Sequence, residues 1–197
     1  MRNCGERRLA IWILIFGCLT FSFFLDSKLG PYAQSSGTSE YEVKAGFLYN
    51  FAKFIEWPSS AFGDANVPIR LCIFGRDPFG DAIDEVVRGK SVNGREFAIR
   101  RMSKLEDLRG CHLVFISTSE ARHLSEVLEG LKGTASLTVG DGEGFAERGG
   151  AIEFFVEGNK VRFSVNVDAI KRAHLEVSSK LLALAKIVHD GDRGKGD

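Results

Sequence analysis

The sequence predicts a single-domain α/β protein: a mostly parallel sheet flanked by helices, with a C-terminal antiparallel β-hairpin and a long C-terminal helix. Three observations predict it. Short apolar-rich runs at Ile69–Phe74, Cys111–Ile116 and Ser136–Val139 are separated by segments of helical period, as expected for parallel strands covered on both faces. Their β-α-β-β-α-β order calls for right-handed crossovers. In the last third, Ile152, Phe154 and Val156 alternate with Glu153, Phe155 and Glu157, and Val161, Phe163 and Val165 with Lys160, Arg162 and Ser164, around Gly158-Asn159, the pattern of a two-residue hairpin.

The first helix follows Ser39, which with Glu42 has the S-x-x-E spacing of a capping box. Val43, Phe47, Phe51, Phe54 and Ile55, widened by Leu48, form one apolar stripe. Tyr41, Ala45, Tyr49 and Ala52 form a softer second one, and Trp57-Pro58 ends the segment. Two apolar sides suit either one large core or a helix that also meets a partner. After the first strand, Asp77 is placed to cap a helix with Pro78 at its first position and Phe79, Ala82, Ile83 and Val86 on its inner face. Asn93-Gly94 marks a tight turn before a strand at Phe97–Arg101. Ser103 and Glu106 repeat the capping-box spacing over a very short helix. Ser117–Glu120 caps another helix, with Ala121, Leu124, Val127, Leu128 and Leu131 facing inward. Asp168–Val188 carries Ile170, Ala173, Val177, Leu181, Leu184, Ala185 and Val188 at helical spacing, and a homodimer is expected to pack through this helix at Leu181.

Residues 1–35 read as a secretory leader: Arg2, Arg7 and Arg8, then the apolar run Leu9–Leu25, then small residues at Ala33 and Ser35 suited to cleavage. An uncleaved N-terminal anchor is the alternative reading of the same run. The domain then covers 39–188, and 189–197 is a polar, glycine-rich tail expected to be disordered. Removing 1–35 takes away four basic and two acidic side chains, leaving 22 against 24. A charge near −2 offers nothing to nucleic acid or to an anionic membrane surface. No stretch after the leader is apolar enough to insert in a bilayer. The exported chain keeps two cysteines, Cys72 and Cys111, which in an oxidising compartment can close one disulfide; two buried thiols are the alternative.

Catalytic signals are missing. His112, His123, His174 and His189 show no metal-ligand spacing. No nucleophile elbow or phosphate loop is present either, so neither enzyme activity nor a cofactor nor a metal is expected. Gly140–Phe145 lies where ligands sit in open α/β sheets, beyond the C-terminal strand ends. Its Asp141 and Glu143, with Arg76 across the rim, are the candidate ligand residues. Tyr41, Tyr49 and Trp57 are the candidate partner contacts, because aromatic residues dominate protein interfaces.

Seven pieces in register carry a resemblance over Tyr41–Val188. They are K-A-x-F-L-Y-N-F-A-K-F-I-x-W-P at Lys44–Pro58, L-C-I-F-G-x-D-P-F-G at Leu71–Gly80 and G-K-x-V-N-G-R at Gly89–Arg95. C-H-L-V-F-I-S at Cys111–Ser117, L-T-V-G-D at Leu137–Asp141, F-A-x-x-G-G-A-I-x-F at Phe145–Phe154 and S-S-x-L-L-x-L-A at Ser178–Ala185 complete them. Together they resemble the YfiR family of small periplasmic proteins. The resemblance implies a non-catalytic periplasmic regulator that binds the periplasmic domain of an inner-membrane diguanylate cyclase and holds it inactive, lowering cyclic di-GMP and biofilm formation. Similar proteins accompany sensor kinases, so a small-molecule-binding sensor module is the alternative. The family's matching cysteine pair is Cys72 and Cys111, while the second pair found in well-studied members around F-A-x-x-G-G has no counterpart here.

Overall fold

The computed structural model of the protein describes residues 39–64 and 66–191. The expected leader and the end of the expected tail fall outside them. Helix α1 (Glu40–Phe54) leads into strand β1 (Ile55–Glu56) and then β2 (Ile69–Phe74). Helix α2 (Ala82–Val87), β3 (Ser91–Val92), β4 (Arg95–Met102) and β5 (Leu113–Ile116) follow. Next come α3 (Leu124–Gly130), β6 (Leu137–Gly140), β7 (Ile152–Glu157) and β8 (Lys160–Asn166). The chain closes with α4 (Val167–Arg172), β9 (Glu176–Val177), α5 (Ser179–Leu182) and β10 (Lys186–Val188).

Eight strands form one sheet in the order β10-β8-β7-β6-β5-β2-β4-β3. The pairs β2–β4, β2–β5, β5–β6, β6–β7 and β8–β10 are parallel. The β7–β8 hairpin and the β3–β4 turn are antiparallel. Both turns use left-handed residues, Asn93-Gly94 (φ 52° and 78°) and Gly158-Asn159 (φ 54° and 60°), which matches the twist of the strands they join. Alternate strand residues serve opposite faces. Leu71, Ile73, Leu113, Phe115, Leu137 and Val139 pack under α1 and α2, while Cys72, Phe74, Val114 and Ile116 pack against Leu108, Leu124, Val127 and Leu131.

The capping box on α1 forms as the spacing predicts: Glu42 N–H donates to Ser39 Oγ at 3.2 Å and Ser39 N–H to Glu42 Oε2 at 2.8 Å. The helix buries the seam between its two stripes, Ala45, Leu48, Phe51 and Ala52. Phe51 meets Phe154 and Phe163 with ring centroids 5.5 and 5.1 Å apart. Tyr41, Tyr49, Phe47 and Phe54 are half-buried on the flanks.

The long C-terminal helix does not form. Helix α4 stops at Arg172 because His174 turns left-handed (φ 55°). Leu175 N–H then reaches Ile170 O at 3.1 Å and His174 N–H reaches Lys171 O at 3.0 Å, the pair of bonds that closes a Schellman cap. Val177 pairs with Ile55, Ser178 caps the short α5, and Lys186–Val188 joins β8. Strand pairing satisfies the backbone where helical spacing alone suggested otherwise. Leu181 lies in the core at 2% exposure, so it is no dimer contact. His189 and Asp190, expected in the loose tail, are bonded to Asp168 and Arg172. Several boundaries also shift, among them the helix expected after Ser117, which begins only at Leu124 behind a 3-10 turn. Asp77 Oδ1 accepts from Phe79 N–H at 2.7 Å in a turn and α2 begins only at Ala82; Leu105–Gly110 is a 3-10 segment with no side-chain cap.

Candidate partner-binding surface

Cys72 and Cys111 are bridged, with Cα atoms 6.0 Å apart. Cys72 lies within β2 and Cys111 just before β5, which pairs with β2. Both sulfurs are in the core on the α3 side of the sheet. The bond therefore staples scaffold and stands apart from the candidate surface.

The topological switch point falls between β2 and β5, since the chain leaves β2 toward β4 and leaves β5 toward β6. Ligands commonly occupy that crevice in open sheets. Here the turn Thr118–Glu120 fills it. Ser119 Oγ accepts from Arg76 N–H at 2.9 Å, and a Cβ at Gly75 would collide with Ser119 and Glu120. The candidate rim residues are therefore not assembled around an open crevice: the Arg76 and Glu143 side chains are exposed, while that of Asp141 is buried.

Asp141 belongs instead to α1. Its Oδ2 accepts from Tyr41 OH at 2.9 Å and from Lys44 Nζ at 2.8 Å. Lys44 also pairs with Glu40 at 2.6 Å, and its ammonium lies 4.4 Å from the centre of the Tyr41 ring. Lys44 is 3% exposed. Burial, and then the hydrogen bond to Asp141, push the Tyr41 phenol well above its ordinary value. Asp141 Oδ1 is buried and has no hydrogen-bond partner among the described residues. Residue reasoning placed Tyr41 and Asp141 on different surfaces and passed over Lys44. The available signal was a lysine between Ala45 and Tyr41, inside an apolar stripe, with Glu40 one turn earlier.

Trp57 and Tyr49 hold intermediate positions. The Trp57 indole N–H donates to His112 O at 3.3 Å and its ring meets Phe62 edge-on. His112 stacks on Phe62 at 4.3 Å, accepts Arg70 N–H on Nδ1 at 3.0 Å and has Nε2 3.1 Å from Ala61 O. Burial lowers its pKa, so the ring is a neutral packing group. Tyr49 rests on Phe97 at 5.8 Å, with Lys53 and Lys90 over its ring at 5.6 and 4.8 Å. Of the three aromatics, Tyr49 alone sits among cations that have no carboxylate partner among the described residues.

The loop after Asp141 is built around Phe145, whose ring lies against Gly140 and Gly150 so closely that a Cβ at either would overlap it. Glu153, buried beneath, accepts Gly144 N–H at 3.0 Å and Ala146 N–H at 2.9 Å. Burial raises its pKa against the pull of those donors. Asn166 donates to Ala146 O at 2.7 Å and caps α4 with its Oδ1. This packing explains the F-A-x-x-G-G spacing: the phenyl ring needs the bare backbone at Gly150.

A solved structure of a conserved domain protein from Vibrio cholerae O1 biovar El Tor matches this fold with a TM-score of 0.54 at 8% identity, over 76% of this chain and 60% of that one. The chain thus spans 60% of that protein's length, and the likeness carries the fold alone. The family model described as YfiR/HmsC-like matches residues 41–186, from the tyrosine that holds Asp141 to the first residue of β10. On that span the chain belongs to the YfiR/HmsC-like family.

Proposed function

We propose that the protein is an exported, periplasmic regulator that binds the outer domain of an inner-membrane diguanylate cyclase and represses it, lowering cyclic di-GMP. The observation that carries this reading is the family match over residues 41–186. Two features support action by binding and not by turnover. The switch-point crevice is closed, and the one histidine buried in the sheet region, His112, is held neutral by backbone partners. Among the described residues no helix is long and apolar enough to cross a membrane. Assembly as a homodimer belongs to the same proposal, with exposed Leu184, just before β10, and Ile187, within it, as apolar surface. Tyr49 is the proposed partner contact on α1. Tyr41 and Trp57 act through the shape they give its ends.

The test is deletion of the gene, with cyclic di-GMP measured in the host cell. A rise, reversed by the wild-type gene, is expected; an unchanged level sinks the reading. A second reading, a small-molecule sensor acting with a sensor kinase, is favoured by an open groove of about 710 Å³ between α3 and α4, bordered by Lys132, Arg148 and Arg172. Thermal-shift screening separates the two, since a tight ligand raises the melting temperature with its occupancy.

A further inference from the structure

Strand β4 is eight residues long, and its outer neighbour β3 covers only Arg95 and Glu96. Phe97–Met102 is therefore a sheet edge among the described residues. Its polarity follows from two bonds. Arg95 pairs with Val92 across the Asn93-Gly94 turn, so its peptide groups face outward. Gly75 N–H bonds Met102 O, so Met102 faces β2. Strand alternation then turns the N–H and C=O of Ile99 and Arg101 outward, where no described residue pairs with them. Such an edge is a template for another strand, and natural sheets usually blunt or cover it.

Two further features lie along this edge. A groove of about 380 Å³ runs beside it, lined by Val87, Phe97 and Ile99 and rimmed by Arg88, Lys90, Glu96 and Asp84, the last neutralised by Arg101. Around it, Lys53, Arg88, Lys90 and Arg100 have no carboxylate partner among the described residues, whereas Arg101 is already paired with Asp77 and Asp84. Tyr49 joins the groove to α1 through Phe97.

We propose that the open edge of β4 receives an extended, acidic segment of a partner protein as an added strand. Main-chain bonds to Ile99 and Arg101 supply the register. Apolar side chains of the segment fill the Val87–Phe97–Ile99 groove on one face. Carboxylates meet Lys90 and Arg88 on that rim and Arg100 on the other face. A second copy of this chain would bring the same cations to the edge and leave them uncompensated; in a register centred on Arg100 it would set that residue opposite itself, and like charges across a strand pair are destabilising. The proposal rests on the reading that the protein works by binding another protein.

The experiment uses the exported chain with an octapeptide of alternating valine and glutamate as probe, and its valine–lysine counterpart as control. Amide hydrogen exchange and titration calorimetry are the readouts. The glutamate peptide slows exchange at the Ile99 and Arg101 amides, and the lysine peptide does not. Arg100→Glu weakens binding about tenfold. Ile99→Pro removes an outward N–H without touching the β2 ladder, so it abolishes binding while the fold survives; should it unfold, Arg100→Glu still decides. Absence of protection at those amides, equal binding of both peptides, or a dimer that dissociates in Arg100→Glu each overturns the proposal. In cells, deletion that raises cyclic di-GMP while Arg100→Glu complements fully overturns this site and leaves the repressor reading standing. Deletion without effect strikes that reading alone, since the peptide arm is independent of it.

Discussion

Lys44 and Asp141 stand 97 positions apart and meet at 2.8 Å, with both side chains about 95% buried. One comes from the first turns of α1, the other from the loop that leaves β6. Their contact joins the helix that covers the sheet to the loop built on Phe145. Because both charges are taken out of water, each depends on the other.

Asp141→Ala is expected to lower the unfolding free energy by about 3 kcal/mol, since it leaves Lys44 charged in the core with only half-exposed Glu40 beside it. The double variant Lys44→Met/Asp141→Leu should regain most of that loss. Urea denaturation of the two proteins measures both, and a neutral Asp141→Ala would refute the account of the pair.

The disulfide closes a separation of 39 residues. By the chain-entropy relation its loss costs about 4 kcal/mol. Wild type with and without reductant, compared by guanidinium midpoint, should differ accordingly, and Cys72→Ala/Cys111→Ala should match the reduced protein. Both sulfurs lie on the sheet face away from α1, with Cys72 the cross-strand neighbour of Arg100 in β4, so reduction should leave binding through the α1 side unaltered in whatever protein remains folded.

His112 gives a pH dependence of definite sign. Its folded pKa is depressed by burial below the ordinary 6.5. Its contribution is therefore full above that value and is lost as pH falls through 6.5 to the folded pKa, where the unfolded chain binds the proton first. Glu153 runs the other way: its raised pKa makes stability decline as pH climbs from 4.5 toward the folded value. The urea midpoint of wild type minus that of His112→Gln isolates the histidine, and this difference should shrink between pH 7.5 and pH 5.5. A difference that is flat in pH rejects the neutral-histidine assignment.

Gly150→Ala should destabilise by about 2 kcal/mol, the scale of overpacking in a closed core, because the new methyl enters the space of the Phe145 ring. Phe145→Leu in the same chain should recover part of it. Melting temperatures of the three variants provide the check.

Tyr41 and Tyr49 should part company. Tyr41→Phe removes the bond to Asp141 and should lower stability by about 1 kcal/mol. Tyr49→Ala should leave the fold largely intact and weaken repression in cells, read as cyclic di-GMP.

The central strands and their alternation with helices along the chain were legible in the residues, because a strand covered on both faces must be apolar and a crossover needs a helix between such runs. The capping box at Ser39 and the two tight turns were legible for the same local reason: their signals lie within four residues. Long-range pairing was not. Residues 168–188 carry helical spacing, yet the Schellman turn at His174 and the pairing of Val177 with Ile55 replace the helix, and neither is visible without knowing where α1 ends. Asp141 looked like a rim ligand because its neighbours are glycines; only the docking of α1 shows that Lys44 and Tyr41 claim it. The sequence by itself determined an α/β chain behind a leader-like N-terminal segment, with two cysteines after residue 35 and no catalytic motif in its residues. The tertiary structure decided which aromatics are core, which crevice is closed and which strand edges are left unpaired, since those depend on contacts between residues far apart in the chain.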